Sequence, residues 1–227
     1  MIDLRNPSRT IHVGVLLANG MTETLDIAPV DILYSLSNDF LAPMDYLPDH
    51  IRSQGLDIKF HWVTENGEDG DVTSGIKIRA TDSFTTCPPL DILLIGAHWS
   101  TKQSTGIPNE AELAFVRDTY QHCTALISIC AGMITPLRAG LLEGKTCTAP
   151  RILLANIRKE NPGVKWVEKR HVKAEDGKIW TGGTLLNGLD LMRAFVQETW
   201  GGEGSLAESL LTEGAWPVRD VDYRDVD

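Results

Sequence analysis

Three segments, Ile11 to Ala18 (IHVGVLLA), Asp91 to Gly96 (DILLIG) and Thr124 to Ile129 (TALISI), are apolar almost without interruption, and each stops at turn-forming or small residues. Runs of this length and continuity suit strands buried on both faces of a parallel sheet. Between them the period changes. Leu25, Ile27, Val30, Ile32, Leu33 and Leu36 recur at helical spacing, with Pro29 placed for the first turn, where its missing N–H costs little. Asn109 to His122 is amphipathic, with Leu113, Phe115, Val116 and Tyr120 on its apolar side. This alternation predicts an α/β three-layer sandwich, a mostly parallel sheet with helices on both faces. At 227 residues and 42% hydrophobic content, a single domain over 1–227 is expected, with its core at about 11–200 and a polar C-terminal tail.

The remaining segments fill in that plan. Residues 41–55 carry two prolines, Asp, His, Ser and Gly, and read as a surface excursion suited to a pocket mouth. Leu56 to Thr64 resumes strand alternation, Glu65 to Asp71 is a polar turn, and Ile76 to Ala80 is a short strand. Lys165 to Val172 and Lys178 to Thr181 flank Glu175-Asp176-Gly177, the signature of a hairpin. A last helix is expected over Leu189 to Thr199.

Charge and cysteine usage exclude several classes of function. With 21 Lys+Arg against 31 Asp+Glu the net charge is -10, which repels phosphate backbones and anionic lipid. No nucleic acid or membrane partner is therefore expected. Cys87, Cys123, Cys130 and Cys147 form no CxxC pair and lie in core-like segments, as free thiols of a reducing compartment would. Met1 to Thr10 lacks an apolar signal stretch, and the sequon-like Asn6 is followed by Pro7, so a cytoplasmic address is expected. The six histidines show no HxxxH spacing, and no metal is expected.

In open α/β sheets ligands bind at the carboxyl ends of the strands, which directs attention to Asn19-Gly20, Gly96-Ala97-His98 and Cys130. Ser128-Ile129-Cys130-Ala131-Gly132 places a thiol where a buried strand meets a helix, followed by small residues that let a sharp turn form. This is a nucleophile elbow with sulfur in place of oxygen. A helix N-terminus there favours the thiolate, and the Ala131 N–H can face a developing anion. The competing reading is a small buried cysteine closing a core strand, which is preferred for Cys87, Cys123 and Cys147 because none precedes a helix start with small neighbours.

The chain resembles the ThiJ/PfpI superfamily, of class I glutamine amidotransferase-like fold. The likeness rests on Val13 to Ala18 followed by Leu25-Asp26-Ile27-Ala28-Pro29, on Asp91 to Gly96 and Ser128 to Gly132, on Ala139 to Lys145, and on Trp180-Thr181-Gly182-Gly183 with Gly188-Leu189-Asp190. By pattern it is most similar to the isonitrile hydratase-like members, whose Leu-Asp-x-x-(Gly)-Pro stretch supplies an acid facing the elbow cysteine. Asp26 fills that position. The glycine before Pro29 is missing or shifted, so Glu23, three positions earlier and able to share a helical face, competes for the role. An N-cap or first-turn acid is the alternative reading of Asp26.

The resemblance implies a cofactor-free, cysteine-dependent lyase or hydratase acting on a small molecule: Cys130 adds to an isonitrile carbon to give a thioimidate, with Asp26 as acid/base, and water releases an N-formamide. It also implies a homodimer. Ala97 and His98 are expected to line an oxyanion hole with Ala131, and Trp99 and Thr148 to shape the substrate pocket. Ala131 stands where hydratase-like members often carry a hydroxyl residue, which leaves the substrate class open. Three alternatives stay open: a glutathione-independent glyoxalase or deglycase, a cofactor-free isomerase of specialised metabolism, and a non-catalytic redox-responsive protein. The first lacks the histidine usual in the segment matching Thr146 to Arg151. A glutaminase would need a late His-x-Glu, and His171 is followed by Val172-Lys173. Family regulators append a helix-turn-helix module, for which the residues after 200 are too few.

Overall fold

The computed structural model describes residues 1–226. The strand Ile11–Leu16 lies between Ile92–Ile95 and Ile58–Thr64, parallel to both. Ala125–Ser128 and then Ile179–Gly182 extend the parallel sheet on one side, and Asp82–Ser83 closes the other edge. The short strand His171–Lys173 is antiparallel and completes seven strands in one sheet. All residues of Ile92–Ile95 and Ala125–Ser128 are buried, which is why their sequences lack the alternation of a half-exposed strand.

The side chains of these strands divide between two layers. Val13, Val15, Leu94, Ile127 and Ile129 pack with Ile27, Ile32, Leu33, Leu191, Phe195 and Val196. On the opposite face Leu16, Leu93, Ile95 and Leu126 pack with Leu113 and Val116 of the helix Glu110–His122. That helix starts with a reciprocal capping box between Asn109 and Glu112. The fold is thus the expected three-layer α/β sandwich.

Several expectations are corrected. The stretch from Leu25 to Leu36 is not one helix: Thr24–Ile27 and Asp31–Ser35 are α-helical, with a 3-10 turn at Ala28–Val30 between them. Pro29 lies at the start of that 3-10 turn and not in the first turn of the whole stretch, because a proline inside an α-helix removes a hydrogen bond and crowds the preceding turn. The predicted hairpin keeps only His171–Lys173 and Ile179–Gly182, while Lys165–Trp166 pairs in parallel with Thr146–Cys147. Residues 41–55 lead into the amino end of the strand Ile58–Thr64, whereas Cys130 follows the carboxyl end of its own strand, and Gln54 lines a cavity with Arg5, Leu56, Trp200 and Leu206.

The residues beyond 200 are not a solvated tail. Leu206–Glu213 is a helix whose Leu206, Ala207 and Leu211 are buried in the core. Further on, Arg219 pairs with the buried Asp190, and the buried Arg170 pairs with Asp225. A small second sheet of four strands, Ile76–Ile78, Gly70–Val72, Met21–Thr22 and His98–Trp99, ties the loops at the carboxyl end of the main sheet together.

Candidate active site

Cys130 follows the strand Ala125–Ser128 and begins a four-residue 3-10 turn, which passes into the short helix Ile134–Arg138. Cys130 has φ 58, the left-handed region that side chains other than glycine rarely enter. Such a conformation costs on the order of 1 kcal/mol or more and persists only where surrounding contacts impose it. The residue is 8% exposed.

The sharp turn depends on Gly132. A Cβ there would fall 2.4 Å from the Ile95 carbonyl oxygen and 2.7 Å from the Gly96 carbonyl carbon. Both are backbone atoms, which cannot swing aside as a side chain can. Gly132→Ala is therefore expected to lower stability by about 2 kcal/mol and to slow alkylation of Cys130. Urea denaturation with site-resolved iodoacetamide labelling measures both, and a variant matching wild type in each would show that the turn relaxes freely.

Asp26 is fully buried in the short helix Thr24–Ile27. Its Oδ2 accepts the Ala97 N–H at 2.9 Å, and its Oδ1 is buried without a hydrogen-bond partner. Burial pushes its carboxyl up to about 7; the Ala97 N–H opposes this, the charge of Glu23 adds to it, and the nearby Cys130 thiol opposes it. The Cys130 thiol is pushed above its ordinary value by desolvation and by the Asp26 charge, while the N–H groups of Leu185 and Ala131 favour its ionised form. Gly96 lies against both groups, its Cβ position 3.0 Å from the Asp26 Cβ and its carbonyl carbon 2.7 Å from the Cβ position of Gly132, so Asp26 and the Cys130 turn share one buried cluster.

The surroundings of Cys130 weigh against a strongly favoured thiolate. The helical segments after Cys130 are a four-residue 3-10 turn and a five-residue helix, too short for a strong dipole, and the thiol faces a carboxylate in a dry pocket. Desolvation is the largest influence on the sulfur and, with the Asp26 charge, opposes the ionised form that the sequence reading expects.

Glu23 occupies the N-cap position of the same short helix with extended backbone angles, so it does not share a helical face with Asp26. Its Oε1 accepts from the Thr73 hydroxyl at 2.9 Å and its Oε2 from the Trp99 indole N–H at 3.2 Å. It acts on the Cys130 and Asp26 pair through its charge. Trp99 is 53% exposed and stands at the rim beside Glu23.

Three expected site groups are otherwise engaged. The Ala97 N–H is committed to Asp26 and is not free for an oxyanion. His98 turns Nδ1 to the Gly96 carbonyl oxygen at 3.3 Å, and burial lowers its pKa, so the ring is neutral near pH 7. Thr148 is fully buried, its N–H donating to the Thr181 hydroxyl and its own hydroxyl to the Lys169 carbonyl. One group that the sequence did not reveal, the Leu185 N–H, favours the ionised sulfur as the Ala131 N–H does. Among the described residues no cluster of three or more His, Cys, Asp or Glu could hold a metal, and no helix is long and apolar enough to cross a membrane.

Comparison with known proteins agrees with this architecture. The chain is 28% identical over 148 residues to the isonitrile hydratase of Pseudomonas putida, an alignment spanning 64% of this chain and 61% of that protein. A ThiJ/PfpI family protein from Pseudomonas syringae superposes with a TM-score of 0.65 at 19% identity, over 93% of this chain and 77% of the other. An AraC family transcriptional regulator from Pseudomonas putida does so with a TM-score of 0.66 at 17% identity, over 89% and 98%. The family match itself covers residues 12–198, and the chain belongs to the DJ-1/PfpI family.

Proposed function

We propose that the protein is a cysteine-dependent hydratase of small, electrophilic carbon compounds, with isonitriles as the leading substrate class. The observation that carries this reading is the buried pairing of Cys130 with Asp26, whose carboxyl near pH 7 can both accept and return a proton at neutral pH. The likeness to an isonitrile hydratase supports the choice of substrate.

In this reading the Asp26 carboxylate takes the Cys130 proton as sulfur attacks the terminal isonitrile carbon. The same proton then passes to that carbon, giving the thioimidate Cys–S–CH=N–R. Water adds to the C=N bond with Asp26 as base, nitrogen is protonated, and collapse of the tetrahedral adduct expels the sulfur. The product is R–NH–CHO, and Cys130 recovers its proton through Asp26. Ala131 and Leu185 N–H groups stabilise sulfur as it gains and regains negative charge. A homodimer and a cytoplasmic address accompany this proposal. Burial of the thiol disfavours the redox-responsive alternative, because oxidation follows thiolate character and exposure.

The test is to incubate the protein with alkyl and aryl isonitriles, follow N-formamide by chromatography, and quench for intact mass. Formamide production together with a transient adduct of the isonitrile's mass on Cys130 is the expected result. No formamide from any isonitrile, or formamide with no adduct at any quench time and undiminished turnover after Cys130 is alkylated, overturns the proposal.

A further inference from the structure

The strand Ile179–Gly182 pairs with the strand that precedes Cys130, Thr181 opposite Ser128, so the loop after Gly182, which carries Leu185, leaves the sheet beside Cys130, and residues 216–226 hold that loop from outside. Leu185 has φ 38, so like Cys130 it sits in the left-handed region without being glycine. Its two neighbours are anchored from different directions. On one side the Thr184 N–H donates to Asn187 Oδ1 at 3.0 Å, and the same oxygen accepts the Tyr223 hydroxyl at 2.7 Å. On the other side Arg219 donates to the Leu186 carbonyl oxygen at 2.7 Å and grips both oxygens of the buried Asp190 at 2.9 and 2.6 Å.

The segment carrying Arg219 and Tyr223 is itself fixed. The Arg170 N–H donates to the Val221 carbonyl oxygen at 2.8 Å, and its guanidinium, buried beneath the segment, reaches the Asp220 carbonyl and the Asp225 carboxylate. The Tyr223 ring lies against the guanidinium groups of Arg170 and Arg151, at 4.6 and 5.0 Å from the ring centre. Even Gly183 fits this arrangement: a Cβ there would fall 2.6 Å from the Tyr223 hydroxyl oxygen.

We propose that residues 216–226 form a strap that holds the Leu185 N–H against the Cys130 sulfur, with Arg219 and Tyr223 as positioning residues for the nucleophile. The physical argument is that a strained loop relaxes unless its surroundings impose the conformation, and a backbone N–H stabilises an anion only when held in hydrogen-bond direction. The strap rests on the reading of Cys130 as a reactive thiol but not on any particular substrate.

The experiment measures the pH dependence of Cys130 alkylation by iodoacetamide in the full-length protein, with labelling resolved by peptide mass spectrometry. The variants are Tyr223→Phe, Arg219→Gln, their combination, and Arg224→Gln, whose exposed guanidinium pairs, among the described residues, with Asp220 and Asp222. The strap predicts that the first three raise the apparent thiol pKa by about 0.5 to 1 unit, so labelling at a fixed pH below that value slows about three- to tenfold. Arg224→Gln leaves the profile unchanged. Tyr223→Phe removes a single oxygen and serves where Arg219→Gln unfolds. Wild-type profiles in both Tyr223→Phe and Arg219→Gln, or an equal shift in Arg224→Gln, overturn the strap. A wild-type Cys130 that resists labelling across the series overturns the nucleophile and the strap together, whereas absent isonitrile turnover with shifted profiles removes only the substrate.

Discussion

At about pH 8.5 the Asp26→Asn variant is expected to be more stable than the wild type. The cause is the buried carboxylate, whose pKa rises from 3.8 to about 7 on folding. One pKa unit corresponds to about 1.36 kcal/mol, so burying the ionised form costs roughly 4 kcal/mol in full. The sign follows from proton counting. Between about pH 4 and 7 the native state retains a proton that the unfolded chain releases, so wild-type stability falls as pH rises through that window and stays lower above it. Asparagine carries no such charge, and its oxygen can keep the Ala97 N–H. The stability difference should therefore be near zero at about pH 3 and approach 2–4 kcal/mol above pH 8, the lower figure allowing for an imperfectly satisfied amide. Urea denaturation at both pH values reads it directly, and a difference that is flat with pH would show that Asp26 is not buried as a charge.

The same variant is expected to lose turnover by about 10²- to 10⁴-fold, the usual contribution of a positioned acid/base group. Wild-type turnover should rise with pH through an apparent pKa near 7 as the base forms, and the residual activity of Asp26→Asn should lack that acidic limb. A gain in stability joined to a loss of activity distinguishes a functional carboxylate from a first-turn helix acid. Replacing the latter would cost a few tenths of a kcal/mol and leave turnover alone.

What the sequence made legible, and what it hid, divides along physical lines. The continuously buried strands announce themselves by composition, and so does the Cys130 turn, because only small residues can follow it so closely; Gly132 shows why in atomic terms. The choice between Asp26 and Glu23 could not be made from spacing, since residues three apart share a face only if both are helical. Glu23 precedes the helix with extended angles, and that alone turns it away. The Leu185 N–H left no trace because a backbone donor has no residue type. The segment after residue 200 was misjudged because charge density reads as solvation. Its Arg219 and Asp225 find their partners in Asp190 and Arg170, 29 and 55 residues away. The ionisation of Cys130 is not legible in the sequence for a related reason. A motif fixes where the sulfur sits, whereas its pKa depends on how much water and how much negative charge surround it.

Cys130 also offers a test of strain against function. Both Cys130→Ala and Cys130→Gly should reduce turnover by at least about 10³-fold, since each removes the atom that forms the covalent intermediate. Their stabilities should differ in an unusual direction. Glycine in place of alanine normally destabilises by roughly 0.5–1 kcal/mol through backbone entropy. At φ 58, however, alanine retains the Cβ crowding that cysteine suffers, and glycine does not. Cys130→Gly is therefore expected to equal or exceed Cys130→Ala in stability, by up to about 1 kcal/mol. Comparison of the two inactive variants cancels the lost sulfur packing, so the difference reports the backbone alone. If Cys130→Ala proves the more stable by a full kcal/mol, the left-handed conformation belongs to no rigid turn, and the strand end does not hold the sulfur in place against its own preference.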